Sequence, residues 1–573
     1  MPGQSEKTIM PRWNSLIESH LNASGVIRAL IPIAGLMLAI ASLALVVVVN
    51  LWWLLAVAFA LAIVALGVHD ALQRRSALLA NYPVAARFRW LALELRPFFR
   101  AYMVEDDQEG RPYSYEARRL VYERADKAAS VHPFGTDLDT YGADFFSLTH
   151  SISASENIDN NPRVRVGSGH CDKPYDAALF NVSAMSFGAL SARAIEALNL
   201  GAKRGGYYHD TGEGGISPYH LAHGGDLVWE LGSGYFGARD DQGRFDPALF
   251  AEQAQQESVR MTEIKLSQGA KPGHGGLLPG SKVTEEIARV RKVPAHQDCL
   301  SPRAHSAFST PVELIEFAAR MRELSSGKPV GIKLCVGHPH EVMAIIKAML
   351  ETGIFLDFIV VDGAEGGTGA APLELSNRVG MPLRDGLIVV RNALVGTGLH
   401  RQVRLAASGK LYSGAGLAEC LSIGADWGNA ARAFMFSIGC IQAKRCHTGT
   451  CPTGITTQDP ARMRGLEPAI QAQRAANFQC ATLEALMNIV AAAGLSHPRE
   501  LRPHHVQRRI SAAQALPLDH IWEFLPEEVL LDAPEETAYA RWWQAADAHS
   551  FRPRCPMDNF RANTAPRVAE PDY

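Results

Sequence analysis

Short apolar runs alternate with helical patterns from about residue 178 to residue 500. The apolar runs predict strands at Leu179–Met185, Tyr207–Asp210, Glu263–Leu266, Gly331–Val336, Phe358–Val361, Val403–Ala407 and Asp426–Asn429. Between them, the pattern predicts helices at Ser191–Lys203, Pro247–Met261, Pro311–Glu323, His340–Glu351 and Gly416–Ile423. Repeated strand–helix units indicate a parallel sheet with helices outside it. Seven or eight units over roughly 330 residues favour an α/β fold, a (β/α)8 TIM barrel with insertions.

The N-terminal part carries a different pattern, an uncharged apolar run from residue 31 to residue 68. Because a spanning helix needs about 20 apolar residues, the run predicts two transmembrane helices, Ile31–Val49 and Leu51–Val68. A buried core hairpin is the alternative. The arginines that flank the run are Arg28, Arg74 and Arg75. The positive-inside rule then places both ends of the helix pair in the cytoplasm.

Composition narrows the class of protein. The chain has 56 Lys+Arg against 59 Asp+Glu, so its charge gives no reason to expect a nucleic-acid partner. Nine cysteines in 573 residues do not form a dense disulfide framework. A cytoplasmic main domain agrees with cysteines that stay reduced and can serve as ligands.

Polar and Gly-rich segments follow the predicted strands, where a barrel of this kind carries its chemistry. Ser408–Lys410 and Gly428–Ala431 follow the last two predicted strands. Loops in these places commonly bind a phosphate through backbone N–H groups, and small residues let the backbone approach closely. Two tight turns are the alternative. The small-residue loop Asp362–Ala370 fits a backbone that lies over a flat ligand, or a flexible loop.

Donors and positive charge gather after the strand Glu263–Leu266. They are Lys265, Gln268, Lys271 and Arg291. Such groups fit a dicarboxylate substrate, with arginine as the bidentate partner, although ordinary surface charge is the alternative. Gly232–Gly237 matches a dinucleotide-binding G-x-G-x-x-G pattern, but no helix pattern follows it, so the required strand–turn–helix context fails.

Three cysteines lie close together in the C-terminal third, at Cys440, Cys446 and Cys451. Clustered thiolates of this kind indicate a metal or iron–sulfur site. Structural zinc takes four ligands, usually in paired Cys-x2–4-Cys arms. The spacings here are x5 and x4 with no evident fourth ligand, which fits a three-iron cluster better. Three buried free thiols are the remaining alternative.

Several motifs together resemble the FMN-binding and central region of glutamate synthase over roughly residues 175–490. They are Ala184–Gly188, Thr211–Gly215, Gln268–Gly273, Gly366–Ala370 and the run Gly439–Pro460. The resemblance implies a barrel that binds FMN and a [3Fe-4S] cluster on the three cysteines. It also implies reductive amination of 2-oxoglutarate to glutamate, with hydride delivered by reduced flavin.

The resemblance assigns roles to individual residues. Catalytic positions are Lys265, Gln268, Lys271 and Glu213, and substrate-binding positions are Arg291 and Leu277. Cofactor-binding positions are Met185, Ser186, Lys333, Gly367, Ser408, Gly409, Gly428 and Ala430. The cluster ligands are Cys440, Cys446 and Cys451.

The chain departs from the family at three places. The family's Lys-Pro-Gly-Glu-Gly-Gly-Gln loop here has His274 for the glutamate and Leu277 for the glutamine. Leucine cannot hydrogen-bond, so a different keto or imino acid is an alternative substrate. Position 2 is Pro2, so the N-terminal cysteine nucleophile of the family's glutaminase domain is not found there. Ammonia is then expected free, from a separate nitrogen-supplying subunit, or as a small amine.

These observations predict five segments. Residues 1–30 form an N-terminal cytoplasmic segment, 31–68 two transmembrane helices and 69–160 a linker or collar. Residues 161–520 form the FMN-binding domain with its iron–sulfur loop, and 521–573 form a C-terminal tail. We expect location at the inner (plasma) membrane, a cytoplasmic catalytic domain, and electrons from ferredoxin or a reductase subunit. A non-catalytic membrane electron-transfer subunit is the alternative of another class.

Overall fold

Eight parallel strands close into a barrel in the computed structural model of this chain. The structure describes residues 33–43, 53–73, 75–128, 131–143, 145–156, 158–159, 161–167, 169 and 171–554. The strands are β1 (Phe180–Val182), β2 (His209–Asp210), β3 (Leu227–Leu231), β4 (Val259–Lys265), β5 (Val330–Leu334), β6 (Phe358–Asp362), β7 (Arg404–Ser408) and β8 (Trp427–Ala430). Each strand pairs with the next, and β8 pairs with β1. The predicted (β/α)8 TIM barrel is therefore confirmed.

One main helix follows each strand. The helices are α1 (Ala192–Gly205), α2 (Pro218–Leu221), α3 (Pro247–Ala254), α4 (Pro311–Leu324), α5 (Pro339–Thr352), α6 (Leu383–Val395), α7 (Gly414–Ile423) and α8 (Pro468–Ala492). Their first residues follow from capping chemistry. The Thr310 side chain caps α4 in a capping box with Glu313, and Ser191 and Ser413 cap α1 and α7.

Burial on both faces explains the composition of the strands. Every residue of β3 and of β5 is buried, as expected for parallel strands inside a ring of helices. Trp229 of β3 stacks on Phe250 of α3 with ring centroids 5.0 Å apart. At Gly201 of α1, an added Cβ would lie 2.9 Å from the Cβ of Ala475 in α8. A glycine is therefore needed for these two helices to pack.

The sequence prediction differs from the structure at two elements. The sequence pattern did not predict β3, because Glu230 interrupts its short apolar run and glycines flank it on both sides. The helix predicted at Pro247–Met261 ends at Ala254, because the residues from Val259 onward pair with β3 and β5 as β4.

Shorter strands and helices occur in addition to the barrel strands and their main helices. The antiparallel strands are Phe146–Leu148 with Val506–Arg509 and Ala515–Pro517, Arg163–Val166 with Tyr175–Ala178, and Leu277–Leu278 with Cys299–Leu300. The α-helices are Tyr115–Ala125, Glu285–Arg291, Leu373–Arg378, Arg432–Ser437, Pro460–Met463, Leu518–Ile521, Val529–Asp532 and Ala540–Ala545. The 3-10 helices are Gly280–Lys282, Leu399–Arg401, Pro498–Glu500, Pro503–His505 and Pro534–Glu536. Beyond residue 520, Leu525 and Leu530 are buried against the barrel.

The described part of the N-terminal unit, up to Arg111, is mostly helical. Its helices are Ile33–Leu43, Trp53–Leu72, Ala77–Asn81 and Arg87–Phe99, and a π-helical turn spans Arg100–Val104. Among the described residues, the segment Leu54–Leu72 is the one helix long and apolar enough to cross a membrane. The predicted two-helix hairpin is not confirmed, since the first predicted span is described only from Ile33 to Leu43. The predicted turn at Asn50 lies outside the described residues.

Candidate active site at the mouth of the barrel

One cavity of about 400 Å³ opens at the carboxyl ends of the strands. This volume falls in the range of small-molecule and cofactor sites. Nearly all predicted site residues line it: Met185, Ser186, Glu213, Lys265, Gln268, Lys271, Leu277, Arg291, Lys333, Gly367, Ser408, Gly409, Ala430, Cys440, Cys446 and Cys451. Gly428 does not; an added Cβ there would meet Leu417 of α7 and Leu411 of the loop after β7.

Positive charge dominates one wall of the cavity. The Lys265 ammonium lies 3.1 Å from Glu213 Oε1. Burial raises the pKa of Glu213, but Lys265, Arg291 and Lys271 outweigh it and hold that pKa below its usual value. Burial lowers the pKa of Lys271, and Glu213 opposes this. Two lysines against one carboxylate leave the wall ready to bind an anionic group.

Below this wall, a second ion pair lies in the interior of the barrel. Lys333 Nζ is 2.7 Å from Glu230 Oε2 and 4.0 Å from Glu263 Oε1, and all three side chains are buried. The carboxylates of Asp210, Glu230 and Glu263 approach one another within 4.8 Å. Burial raises the pKa of Asp210 to about 7, and the charge of Glu230 adds to the rise. Burial and Asp210 likewise raise the pKa of Glu263 well above its ordinary value.

The raised pKa of Asp210 predicts a pH-dependent stability. Because the folded state binds this proton more tightly than the unfolded state, stability falls as pH rises from about 4 to about 7. Three pKa units are worth about 4 kcal/mol. In Asp210→Asn, the amide oxygen can still accept the hydrogen bond from the Gly212 N–H, 2.9 Å away in the native protein.

We therefore expect Asp210→Asn to be stabilised relative to the native protein by about 2–4 kcal/mol more at pH 8 than at pH 5. Thermal unfolding at both pH values measures this difference. Asp176→Asn, at an exposed ion pair, is the matched control and should change little. The same stability change for Asp210→Asn at both pH values would contradict a raised pKa.

Close backbone contacts shape the roof of the cavity. The N–H of Gly269 donates to Asp362 Oδ2 over 2.7 Å, and the Ser408 hydroxyl donates to Asp362 Oδ1 over 2.9 Å. An added Cβ on Gly269 would lie 1.7 Å from the carbonyl oxygen of Gly363. The small residues of the Asp362–Ala370 loop thus let the loops after β4 and β6 meet. The loop is packed at Gly363, whereas residues 367–369 are exposed.

Arg291 is buried in the wall of the cavity, whereas Leu277 is exposed at its rim. Arg291 is 4% exposed, and its guanidinium donates to the Phe187 carbonyl over 2.9 Å and lies over the Phe236 ring. Leu277 is 44% exposed and pairs across a two-stranded ribbon with Leu300, which is 65% exposed. This side of the cavity therefore has an apolar rim.

The cysteine loop forms the remaining wall and is held by several contacts. Lys282, in the loop after β4, donates to the carbonyl of Cys446 over 3.0 Å. The Tyr122 hydroxyl donates to the carbonyl of Cys440 over 2.7 Å, and Gln442 and Tyr113 exchange hydrogen bonds. The three thiols therefore line the same cavity as the lysines, although 175 residues separate Lys265 from Cys440.

The thiols differ in acidity. Burial raises the pKa of Cys440 to about 12. Burial also opposes ionisation of Cys451, but hydrogen bonds from Thr453 and Thr456 outweigh it and lower its pKa to about 7. Lys282 is buried beside the loop, so a cation already faces the position of an anionic cluster. This set of donors fits an iron–sulfur group bound by three thiolates.

Sequence reasoning missed several residues of the cavity. The most informative is Glu230, whose strand was not predicted; the others include Tyr113, Lys282 and Arg432. A single buried glutamate between two apolar residues, in Leu227–Leu231, was the available signal for Glu230.

The fold and the cavity define a barrel enzyme with a cationic, cofactor-sized site at the carboxyl ends of its strands. Residues 157–496 match the family model described as the conserved region in glutamate synthase. The glutamate synthase large subunit-like protein YerD of Bacillus subtilis is 34% identical over 495 residues, covering 79% of this chain and 94% of that protein. The chain belongs to the glutamate synthase family of oxidoreductases.

The central region is also similar to other glutamate synthases. The archaeal-type glutamate synthase [NADPH] of Thermotoga neapolitana is 33% identical over 321 residues, which cover 56% of this chain and 60% of that protein. Among solved structures, a lactate oxidase from Pediococcus acidilactici is 12% identical, with a TM-score of 0.39 over 67% of this chain and 92% of that one.

Proposed function

We propose that the protein is an FMN- and iron–sulfur-dependent oxidoreductase that reductively aminates 2-oxoglutarate with ammonia or a small amine. The observation that carries this proposal is the shared cavity, which brings the three thiols, Lys265 and Lys271 together. An electron-entry site and an acid-binding site would then be neighbours. Membership of the glutamate synthase family supports the same reaction.

FMN would lie across the strand ends. Ser408, Gly409 and Ala430 would receive its phosphate through small residues and backbone N–H groups. Met185, Ser186 and Gly367 line the space beside them, and Lys333 rises from the barrel interior. When bound, FMN supplies the hydride for the reduction.

The chain's own side chains would bind and polarise the substrate. Lys265 and Lys271 would bind the carboxylate of the 2-oxo acid, and Gln268 adds an amide donor and acceptor at the same strand end. The Glu213 carboxylate, kept ionised by its lysine neighbours, would stabilise the cationic imine. Arg291 would hold the Phe187 backbone and close the wall behind them.

Cys440, Cys446 and Cys451 would hold the [3Fe-4S] cluster and receive electrons from ferredoxin or a reductase subunit. We place the protein at the inner membrane with its barrel in the cytoplasm, which the apolar helix Leu54–Leu72 supports. Nitrogen would arrive as free ammonia, as a small amine or from a separate subunit. Membrane-fraction localisation, abolished by deletion of residues 1–72, would test the attachment.

The function is tested with purified protein, a chemically reduced ferredoxin, 2-oxoglutarate and ammonium. Glutamate should form only when all components are present, and the absorption and EPR spectra should show flavin and a three-iron cluster. Absence of glutamate from protein that contains both cofactors would reject this pair of substrates.

A second candidate substrate is a 2-oxo acid with an apolar side chain. Leu277, which is exposed at the rim of the cavity, favours it, because a leucine offers contact area but no hydrogen bond. In this case the same cofactors and the same lysines would act on a monocarboxylate.

The Leu277→Gln variant tests the choice of acid. We expect its kcat/KM for 2-oxoglutarate, relative to that for 2-oxoisocaproate, to rise about tenfold, since one hydrogen bond is gained at the rim. Leu300→Gln is the matched control, because Leu300 lies across the ribbon from Leu277 and outside the cavity lining. An unchanged ratio in Leu277→Gln would show that Leu277 does not select the acid.

A further inference from the structure

Glu230 stands between two lysines in the interior of the barrel. Its Oε2 is 2.7 Å from Lys333 Nζ, and its Oε1 is 3.9 Å from Lys265 Nζ. Glu230 is 1% exposed, so water does not screen these charges. Lys265 also pairs with Glu213, which completes an alternating row of charges from Lys333 to Glu213.

Strand register explains why a counter-charge is needed at this place. Lys265 of β4 and Lys333 of β5 are direct partners on neighbouring parallel strands. Their charges therefore enter the cavity side by side and repel each other. Glu230 comes from β3, and its two carboxylate oxygens point to different lysines. Burial lowers the pKa of Lys333, but the carboxylates, Glu230 foremost, hold it well above its usual value.

The two lysines serve different parts of the proposed reaction. Lys333 rises toward the space assigned to FMN, whereas Lys265 lies beside Glu213 and Lys271 on the acid-binding wall. One carboxylate thus contacts both the cofactor side and the substrate side. Neither the motifs nor the family resemblance assigns Glu230 a role.

We propose that Glu230 is a positioning residue that bridges the cofactor-side Lys333 and the substrate-side Lys265 and sets the electrostatic potential at the flavin. This inference rests on the proposed function, because it needs a flavin beside Lys333. A reduced flavin carries more negative charge than an oxidised one, so Lys333 favours reduction and the Glu230 carboxylate partly offsets this. Removing the carboxylate charge should make the flavin easier to reduce.

Glu230→Gln keeps the shape of the side chain and an oxygen that can accept from Lys333. We expect its flavin midpoint potential to rise, with the two-electron equilibrium constant increasing at least tenfold, or about 30 mV. Glu419→Gln is the matched control, because Glu419 is also buried and ion-paired, to Arg384, but lies on α7 outside the cavity. Its potential should equal that of the native protein.

Redox titration of the flavin-loaded proteins measures both variants. An unchanged or lower potential in Glu230→Gln overturns the inference and leaves the proposed function standing. A native protein that takes up no FMN overturns both. Should Glu230→Gln fail to fold, Glu230→Asp tests the same point. Its shorter side chain moves the carboxylate away from Lys333, so at least a threefold rise in the equilibrium constant is expected and an unchanged potential overturns the inference.

Discussion

The Lys265→Met variant is expected to lose kcat/KM for the 2-oxo acid by about a hundredfold to a thousandfold while keeping its flavin. Lys265 is the cation nearest to Glu213 on the acid-binding wall, at 3.1 Å, and its side chain is 10% exposed. Removing it leaves Glu213 without its nearest partner and the substrate carboxylate with one lysine fewer. Methionine retains most of the volume, so the packing around β4 should survive.

Steady-state kinetics with a reduced electron donor measure the loss of kcat/KM. The FMN content per chain shows whether the variant keeps its flavin. Lys347→Met is the matched control, since Lys347 is a partly buried lysine on α5, where it donates to the carbonyls of Trp543 and Ala546. It should keep nearly native kinetics. Native turnover in Lys265→Met would contradict the assignment of this wall to binding of the 2-oxo acid.

Replacing Cys446 with serine should abolish the three-iron EPR signal and reduce turnover with an external electron donor by at least about a hundredfold. Loss of a residue that merely supports a metal ligand typically costs 10–100-fold, so loss of a ligand should exceed that range. Cys446 lies on the loop that Lys282 holds against the cavity. The loop itself should keep its place because this bond uses the backbone carbonyl.

Photochemical reduction of the flavin separates electron entry from the chemistry. The Cys446→Ser protein, once reduced by light, should still convert substrate in a single turnover, because its lysine wall is intact. Cys480→Ser is the matched control, as Cys480 is an exposed cysteine on α8. A native protein with bound zinc, or with three free thiols and no iron, would contradict the cluster.

The barrel could be predicted from sequence because short apolar runs mark most of its strands, as expected where parallel pairing buries a strand on both faces. The remaining strand, β3, could not, because its fourth residue, Glu230, resembles a surface residue until Lys265 and Lys333 are placed beside it. Long-range pairing of charges is invisible in a linear pattern. The same reason explains why Glu230 was absent from the predicted site.

The residues that line the cavity were predicted more completely than the bounds of the helices and strands. The reason is that the carboxyl ends of the strands converge in a barrel, whatever the lengths of the loops that follow them. Gly428 is the exception. The sequence around Gly428 suggested a phosphate loop, but Gly428 lies within β8. At this position of the strand a side chain would point outward, because an added Cβ would meet Leu417 of α7. The next residue, Asn429, faces the cavity instead, as the alternation of a strand requires.

The central claim is that this chain transfers reducing equivalents from a bound flavin to the imine of a 2-oxo acid. Anaerobic, photoreduced protein mixed with ammonium and 2-oxoglutarate tests it most directly, without any electron donor or partner subunit. The account predicts that flavin absorbance returns and that one glutamate forms per flavin reoxidised. A flavin that stays reduced with ammonium or methylamine and every 2-oxo acid offered would contradict it.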